Sequence, residues 1–210
     1  MERAPAYPLH LAVDGQPVLV IGGGAVALRR VRRLLASGAT VRVVAVDVID
    51  ELAALAGVTI ERRHYRAGEV VRYRLVMAAT DDPELNRSIC ADAEQAGIWA
   101  NDASRPGGGR MAVPAVLRRG PVVVSVSTGG SSPVLASWLR DQIGDLLGPE
   151  VAVLAELVAE ARDEARADVP EGTMPDWRPA LDSGMLDLIR HGRIPEAKER
   201  LSACRSSSSD

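Results

Sequence analysis

The sequence has few aromatic residues and few cysteines. Its 210 residues include no Phe, three Tyr and three Trp, and the formal net charge is −3. A nucleic-acid partner usually requires a basic surface and stacking aromatic side chains, so the composition argues against such a partner. The two cysteines lie far apart, at Cys90 and Cys204, which favours a reducing, cytoplasmic location over a disulfide framework. The three histidines show no ligand spacing, so we predict no metal site.

Long hydrophobic runs are also missing. The apolar runs are too short to cross a bilayer, and residues 1–11 lack the charged and apolar regions of a secretory signal. We therefore expect no membrane association. Hydrophobic residues make up 47% of the chain and charged residues 25%, which is typical of a globular protein with a substantial core.

Short apolar runs alternate with helical patterns through the first half of the chain. Residues 18–21 form a β-rich apolar run, and residues 25–37 repeat apolar side chains at helical spacing before Gly38. The same alternation predicts strands over 41–46, 58–61, 75–79 and 98–101, and helices over 49–56 and 83–96. Such alternation is typical of an α/β fold with a Rossmann-type parallel sheet.

The pattern changes after Pro106. Residues 112–117 and 122–127 are strand-like and flank a turn, which predicts a hairpin. Ser132 and Pro133 suit the N-cap and first position of a helix that extends to about residue 147. Further helices are predicted over 151–161, 181–190 and 195–203, and a disordered tail over 206–210.

The glycine-rich segment after the first strand is the strongest local motif. Residues 22–27, GGGAVA, match G-x-G-x-x-G/A. Gly22 permits the tight turn, Gly24 lets the backbone approach a pyrophosphate, and the following helix N-terminus supplies N–H groups. The strand–helix–strand context predicts a dinucleotide site, whose alternative is a glycine turn without a ligand. Its predicted residues are Gly22, Gly23, Gly24, Ala25 and Val26.

Two further cofactor contacts are predicted at strand ends. Val46 and Asp47 lie at the end of the second strand, where a carboxylate would bind ribose hydroxyls and repel a 2′-phosphate, so we expect NAD rather than NADP. Asp47 with Asp50 also fits a helix N-cap arrangement, and both interpretations stay open. Thr80, after the fourth strand, would contact the cofactor, whereas Asp81 or Asp82 fits the cap of the next helix.

In this order, the motifs resemble those of the precorrin-2 dehydrogenase family, which includes the N-terminal part of bacterial sirohaem synthase. The segment 127–136, STGGSSPVLA, is the most specific, because general Rossmann enzymes lack it. The resemblance covers roughly residues 5–165, and more weakly the C-terminal helices. The other matching positions are 7–9, 20–27, 78–82, Asn86, Asn101, Pro114 and Arg140.

The resemblance implies NAD-dependent dehydrogenation of precorrin-2 to sirohydrochlorin in sirohaem biosynthesis, and some family members also insert iron. It implies a homodimer with a Rossmann domain over 1–113, a dimerisation region over 114–148 and a helical C-terminal domain over 149–205. The carboxylates of the tetrapyrrole substrate would need arginines and hydroxyl or N–H donors. The candidates are Arg105, Arg110, Thr128 and Ser131, although a helix cap and a tight turn would also explain the last two.

The family's catalytic aspartate falls on Ser104 of this sequence. Asp102 lies two positions earlier and would replace the carboxylate, or it simply caps the loop. Ser104 is a poor base unless another group activates it. Asp102 and Ser104 are therefore the catalytic candidates. The alternatives are a non-catalytic homologue that binds a tetrapyrrole or NAD, and an oxidoreductase with a different substrate.

Overall fold

The computed structural model describes residues 6–105, 107–168 and 175–206. The chain forms two compact units, one of Met1–Val113 with Ser127–Pro133 and the other of Pro114–Val126 with Val134–Asp210. The expected three-part division, with its dimerisation region, stays a prediction. Residues 207–210 of the expected tail lie outside the described residues. No helix in the described ranges is long and apolar enough to cross a membrane.

The first unit contains a six-stranded sheet, whose strands are β1 Pro17–Ile21, β2 Thr40–Ala45, β3 Val58–Arg62, β4 Leu75–Ala78, β5 Trp99–Asp102 and β6 Gly108–Gly109. Their order across the sheet is β3-β2-β1-β4-β5-β6. The first five strands of this order run parallel, and β6 is antiparallel to β5. This is a Rossmann-type α/β sheet, and the predicted fold class is confirmed. The helices are α1 Ala25–Leu35, α2 Asp50–Ala53, α3 Pro83–Gln95 and a short 3₁₀ helix, Glu69–Arg72.

Both faces of the sheet are buried, because successive side chains of each strand point to opposite sides. In β1, Val18 and Val20 pack in the core that includes α1, whereas Leu19 and Ile21 pack in the core that includes α3. This two-sided burial explains why the central strands β1 and β4 are continuous apolar runs rather than alternating ones. The two covering layers hold the carboxyl ends of the strands at one edge of the sheet.

The second unit combines a hairpin with helices. Its elements are β7 Ala115–Arg119, β8 Val122–Val126, α4 Pro133–Leu146, α5 Glu150–Asp168, α6 Arg178–Leu181, α7 Met185–Arg190 and α8 Ile194–Ser206. The predicted hairpin is confirmed, because β7 and β8 pair in antiparallel fashion. Of the helix predicted over 181–190, only residues 185–190 form one helix, α7, which begins just after Gly184 with φ 85°. Leu181 is instead the last residue of a separate short helix, α6. Ser206, expected in the tail, is the last residue of α8.

Candidate functional site

A cleft of about 770 Å³ lies at the carboxyl edge of the sheet. Four loops line it, and each follows one of the strands β1 to β4. Open α/β sheets bind their ligands at this edge. All the predicted cofactor residues lie together in this lining: Gly22, Gly23, Gly24, Ala25, Val26, Val46, Asp47 and Thr80.

The three glycines of the loop after β1 meet different surroundings. A Cβ atom on Gly22 would lie 2.3 Å from the Ala79 carbonyl oxygen, and one on Gly23 would lie 1.9 Å from the Asp47 carbonyl oxygen. These two positions accept no side chain, because neighbouring backbone fills the space. A Cβ atom on Gly24 would have nothing within 4 Å. The loop therefore packs tightly through its first two glycines and leaves open space at the third.

The amino end of α1 is open toward this cleft. Gly24 is the N-cap residue, no side chain caps the helix, and its first turn carries no acidic residue. The first N–H groups of a helix lack intrahelical partners and carry the positive end of the helix dipole. Together with the space at Gly24, this end fits the pyrophosphate of a dinucleotide.

Asp47 offers a carboxylate beside the glycine loop. Its backbone carbonyl packs against Gly23, while its carboxylate accepts no hydrogen bond from any residue that the structure describes. The N-cap residue of α2 is Ile49, and no side chain caps that helix. The helix-cap interpretation of Asp47 is therefore wrong. The arrangement fits a carboxylate that binds ribose hydroxyls, which stays a prediction.

Thr80 is held by a hydrogen-bonded loop. Its hydroxyl donates to Asn86 Oδ1 at 2.8 Å, and its backbone N–H donates to the same oxygen at 3.1 Å. Asn86 is fully buried and returns a bond from Nδ2 to the Thr80 carbonyl. Asp82 caps α3 by accepting from the N–H groups of Glu84 and Leu85, as predicted. A cofactor contact through Thr80 stays a prediction, and its hydroxyl already has a partner in this loop.

The structure brings the two catalytic candidates together. Asp102 ends β5, in register with Ala78 of β4, and is 3% exposed. Its Oδ1 accepts hydrogen bonds from the Ser104 hydroxyl at 2.5 Å and from the Ser104 N–H at 2.9 Å. A Cβ atom on Gly108 would lie 2.5 Å from Asp102 Cβ, so a glycine is needed opposite the carboxylate. Neither Asp102 nor Ser104 is among the residues that line the cleft.

Burial and the neighbouring Asp102 raise the pKa of the Cys90 thiol to about 11. This half-buried cysteine lies on α3, which covers the face of the sheet toward which Ala100 points. A thiol with so high a pKa is a poor nucleophile at neutral pH. The candidate chemistry of this region therefore rests on Asp102 and Ser104 and not on the cysteine.

The four candidate substrate contacts are arranged differently from one another. Arg105 is exposed, whereas Arg110 pairs with Glu94 of α3 through Nε at 2.9 Å and through Nη2. The Thr128 hydroxyl donates to the Ser132 carbonyl at 3.0 Å, and the Ser131 hydroxyl donates to the Thr128 carbonyl at 2.6 Å. Three of the four thus have partners already, and all four roles stay predictions.

The residues at the end of β3 and just after it were not predicted as site residues from the sequence. Arg62, His64 and Tyr65 also line the cleft. The Tyr65 hydroxyl donates to Asp92 Oδ2 at 2.7 Å, and burial, followed by this bond, raises the pKa of Tyr65. The available signal was their place just beyond the third strand of a parallel sheet, where loops meet ligands.

An open glycine loop, an uncapped helix end and a carboxylate after β2 define a dinucleotide-binding Rossmann protein. Comparison with known families agrees. Residues 9–115 match the family model described as "Putative NAD(P)-binding", and residues 119–146 match "Sirohaem biosynthesis protein central". The first model covers just over half of the chain, so the chain belongs to the family described as "Putative NAD(P)-binding".

Its relatives include larger proteins. Siroheme synthase of Chromobacterium violaceum is 37% identical over 93% of this chain and 43% of its own length. Siroheme synthase of Pseudomonas putida is 40% identical over 93% of this chain and 43% of its own length. That of Methylococcus capsulatus is 35% identical over 92% of this chain and 42% of its own length. The chain thus spans less than half the length of these relatives.

A solved structure shares the fold. The protein titled "SirC, precorrin-2 dehydrogenase" superposes with a TM-score of 0.71 and 23% sequence identity, covering 96% of this chain and all of that one. At this level of identity the likeness shows the fold.

Proposed function

We propose that this protein uses NAD to dehydrogenate precorrin-2 to sirohydrochlorin. The observation that carries the proposal is the open cradle formed by Gly24 and the uncapped end of α1, in a chain of the sirohaem-synthesis family. The similarity to siroheme synthases supports an enzyme of this pathway, and a soluble tetrapyrrole is the substrate class that follows. We further propose that the protein acts in the cytoplasm as a homodimer.

The chain's own residues fit each part of the cofactor. The backbone of Gly22, Gly23 and Gly24 and the first N–H groups of α1 would hold the pyrophosphate. Asp47 would accept from the ribose hydroxyls, and the half-exposed Val46 would pack beside the adenine. When bound, NAD supplies the acceptor for a hydride.

A second group must accept a proton when a hydride leaves the substrate. Ser104 is exposed, and its hydroxyl donates to the buried Asp102 carboxylate. We assign Ser104 as the group that meets the substrate: its oxygen takes the substrate proton while its own proton passes to Asp102. The Asp102 carboxylate activates the Ser104 hydroxyl, whereas an isolated serine would have no such base beside it.

The test is NADH formation when anaerobically purified protein meets enzymatically generated precorrin-2 and NAD. We expect NADH and sirohydrochlorin to form together, at a rate proportional to protein concentration. Calorimetric titration with NAD on the same preparation is the matched measurement. Binding of NAD without turnover would overturn the dehydrogenase and favour a non-catalytic binding homologue or a different substrate.

A further inference from the structure

An arginine at the end of β3 lines the same cleft as the proposed ribose site, and its side chain has no partner among the residues that the structure describes. Arg62 is in register with Ala45 of β2, is exposed, and lines the same cleft as Asp47. Its side chain makes no hydrogen bond or ion pair with any residue of the described ranges. A cationic side chain of this kind, in a cleft that fits a nucleotide, is a candidate ligand contact.

The neighbouring arginine shows the contrast. Arg63 donates from Nη1 and Nη2 to Glu69 at 3.0 and 2.6 Å and from Nε to Glu61 at 2.7 Å. Arg63 is therefore fixed within a structural network, and of these two arginines only Arg62 remains available to a ligand.

The pleat of β3 decides which face Arg62 occupies. Val58 and Ile60 pack on the core that includes α1, together with Val43 and Ala45 of β2. Alternate side chains share a face, so Arg62 lies on the α1 side of the sheet. The glycine loop leads into α1, and the Asp47 carbonyl packs against Gly23 of that loop. Arg62 is thus placed at the adenosine end of the cleft.

We propose that Arg62 is a latent contact for a 2′-phosphate, so that Asp47 alone makes the site reject NADP. The proposal rests on the proposed binding of a nicotinamide dinucleotide. A guanidinium binds phosphate through paired, charge-assisted hydrogen bonds, whereas a carboxylate beside the same phosphate repels it. Removal of the Asp47 carboxylate would leave the attraction of Arg62 unopposed.

The experiment is calorimetric titration with two probes that lack the nicotinamide, adenosine 5′-monophosphate and adenosine 2′,5′-bisphosphate. Wild type should bind the monophosphate more tightly. Asp47→Ser should reverse the preference, with affinity for the bisphosphate rising at least about tenfold, as a charge-assisted pair predicts. The double variant Asp47→Ser with Arg62→Gln should lose that increase in affinity for the bisphosphate.

The matched control is Asp47→Ser combined with Arg74→Gln. Arg74 is also exposed, but it lies at the amino edge of the sheet, just before β4. This control should keep the gain, and all variants should unfold at temperatures close to that of wild type. The proposal is overturned if Asp47→Ser with Arg62→Gln keeps the increased affinity for the bisphosphate. It is also overturned if Asp47→Ser with Arg74→Gln loses that increase to the same extent.

The two proposals fail in different ways. If the probes behave as expected but precorrin-2 yields no NADH, the dehydrogenase proposal fails and the assignment of Arg62 stands. If wild type binds neither probe nor NAD, both proposals are overturned. If wild type already prefers the bisphosphate, Asp47 does not exclude it and the assignment fails.

Discussion

At the scale of single residues, the catalytic candidates form one unit. Asp102 is buried, and its Oδ1 accepts both the N–H and the hydroxyl of Ser104. The position where the resemblance places a carboxylate thus carries a hydroxyl bonded to a carboxylate two residues away. The Asp102 carboxylate is therefore one hydrogen bond away from position 104, where the resemblance places the catalytic aspartate.

We expect Asp102→Asn to lower kcat by roughly a hundredfold or more, because the Ser104 hydroxyl loses its proton acceptor. Ser104→Ala should lower kcat less, by about tenfold, since water can enter the vacated space and reach the carboxylate. The measurement is NADH formation with precorrin-2. Affinity for NAD should stay near the wild-type value in both variants. Unchanged kcat in Asp102→Asn would remove Asp102 from the mechanism.

Residue types alone indicated some of these roles and not others. Gly22 and Gly24 were predictable, because the motif states its backbone requirements directly. The bond between Asp102 and Ser104 was not, because it depends on how the loop after β5 turns. The proposed role of Arg62 was not predicted either, because it depends on the register of β3 against β2 and on the absence of a side-chain partner among the described residues.

At the scale of elements, the loop between β1 and α1 separates packing from binding. Neighbouring backbone closes around Gly22 and Gly23, whereas the space at Gly24 is open. Gly24 has φ −90°, a conformation that other residues adopt without strain. The loop therefore offers a variant that tests binding without disturbing the fold.

We predict that Gly24→Ala folds normally but binds NAD at least about tenfold more weakly, because its methyl group would occupy the space into which the pyrophosphate comes. Gly23→Ala should instead lower the thermal midpoint by about 4 °C or more, because its Cβ would clash with the Asp47 carbonyl. Thermal unfolding and NAD titration of the two variants separate these effects. Wild-type NAD affinity in Gly24→Ala would contradict the proposed cradle.

Elements with a strong pattern were predicted, and those without one were missed. The central strands β1 and β4 were found because each is a continuous apolar run that packs on both faces. The strand β6 consists of Gly108 and Gly109, which have no side chains to form a pattern. It exists because β5 offers a free edge and because Gly109 adopts φ 76°. Such a strand is determined by its neighbour and not by its own sequence.

At the scale of the whole molecule, the second unit presents apolar side chains that a monomer would leave in water. In α4, Val134 is 79% exposed and Trp138 is 55% exposed, and their four-residue spacing places them on one helix face. Exposed apolar patches of this kind mark interaction surfaces. The helix lies within residues 114–148, the expected dimerisation region, so a second copy of the chain is the partner that we propose.

We expect wild type to have the mass of a dimer in light scattering after size exclusion, and Trp138→Lys to shift it to the monomer, because a charged side chain would have to be buried at the interface. Trp99→Lys is the matched control. Trp99 is 53% exposed, but it lies in the first unit at the start of β5. This variant should remain dimeric. A monomeric wild type would contradict dimerisation itself, and equal dissociation of both variants would place the interface somewhere other than α4.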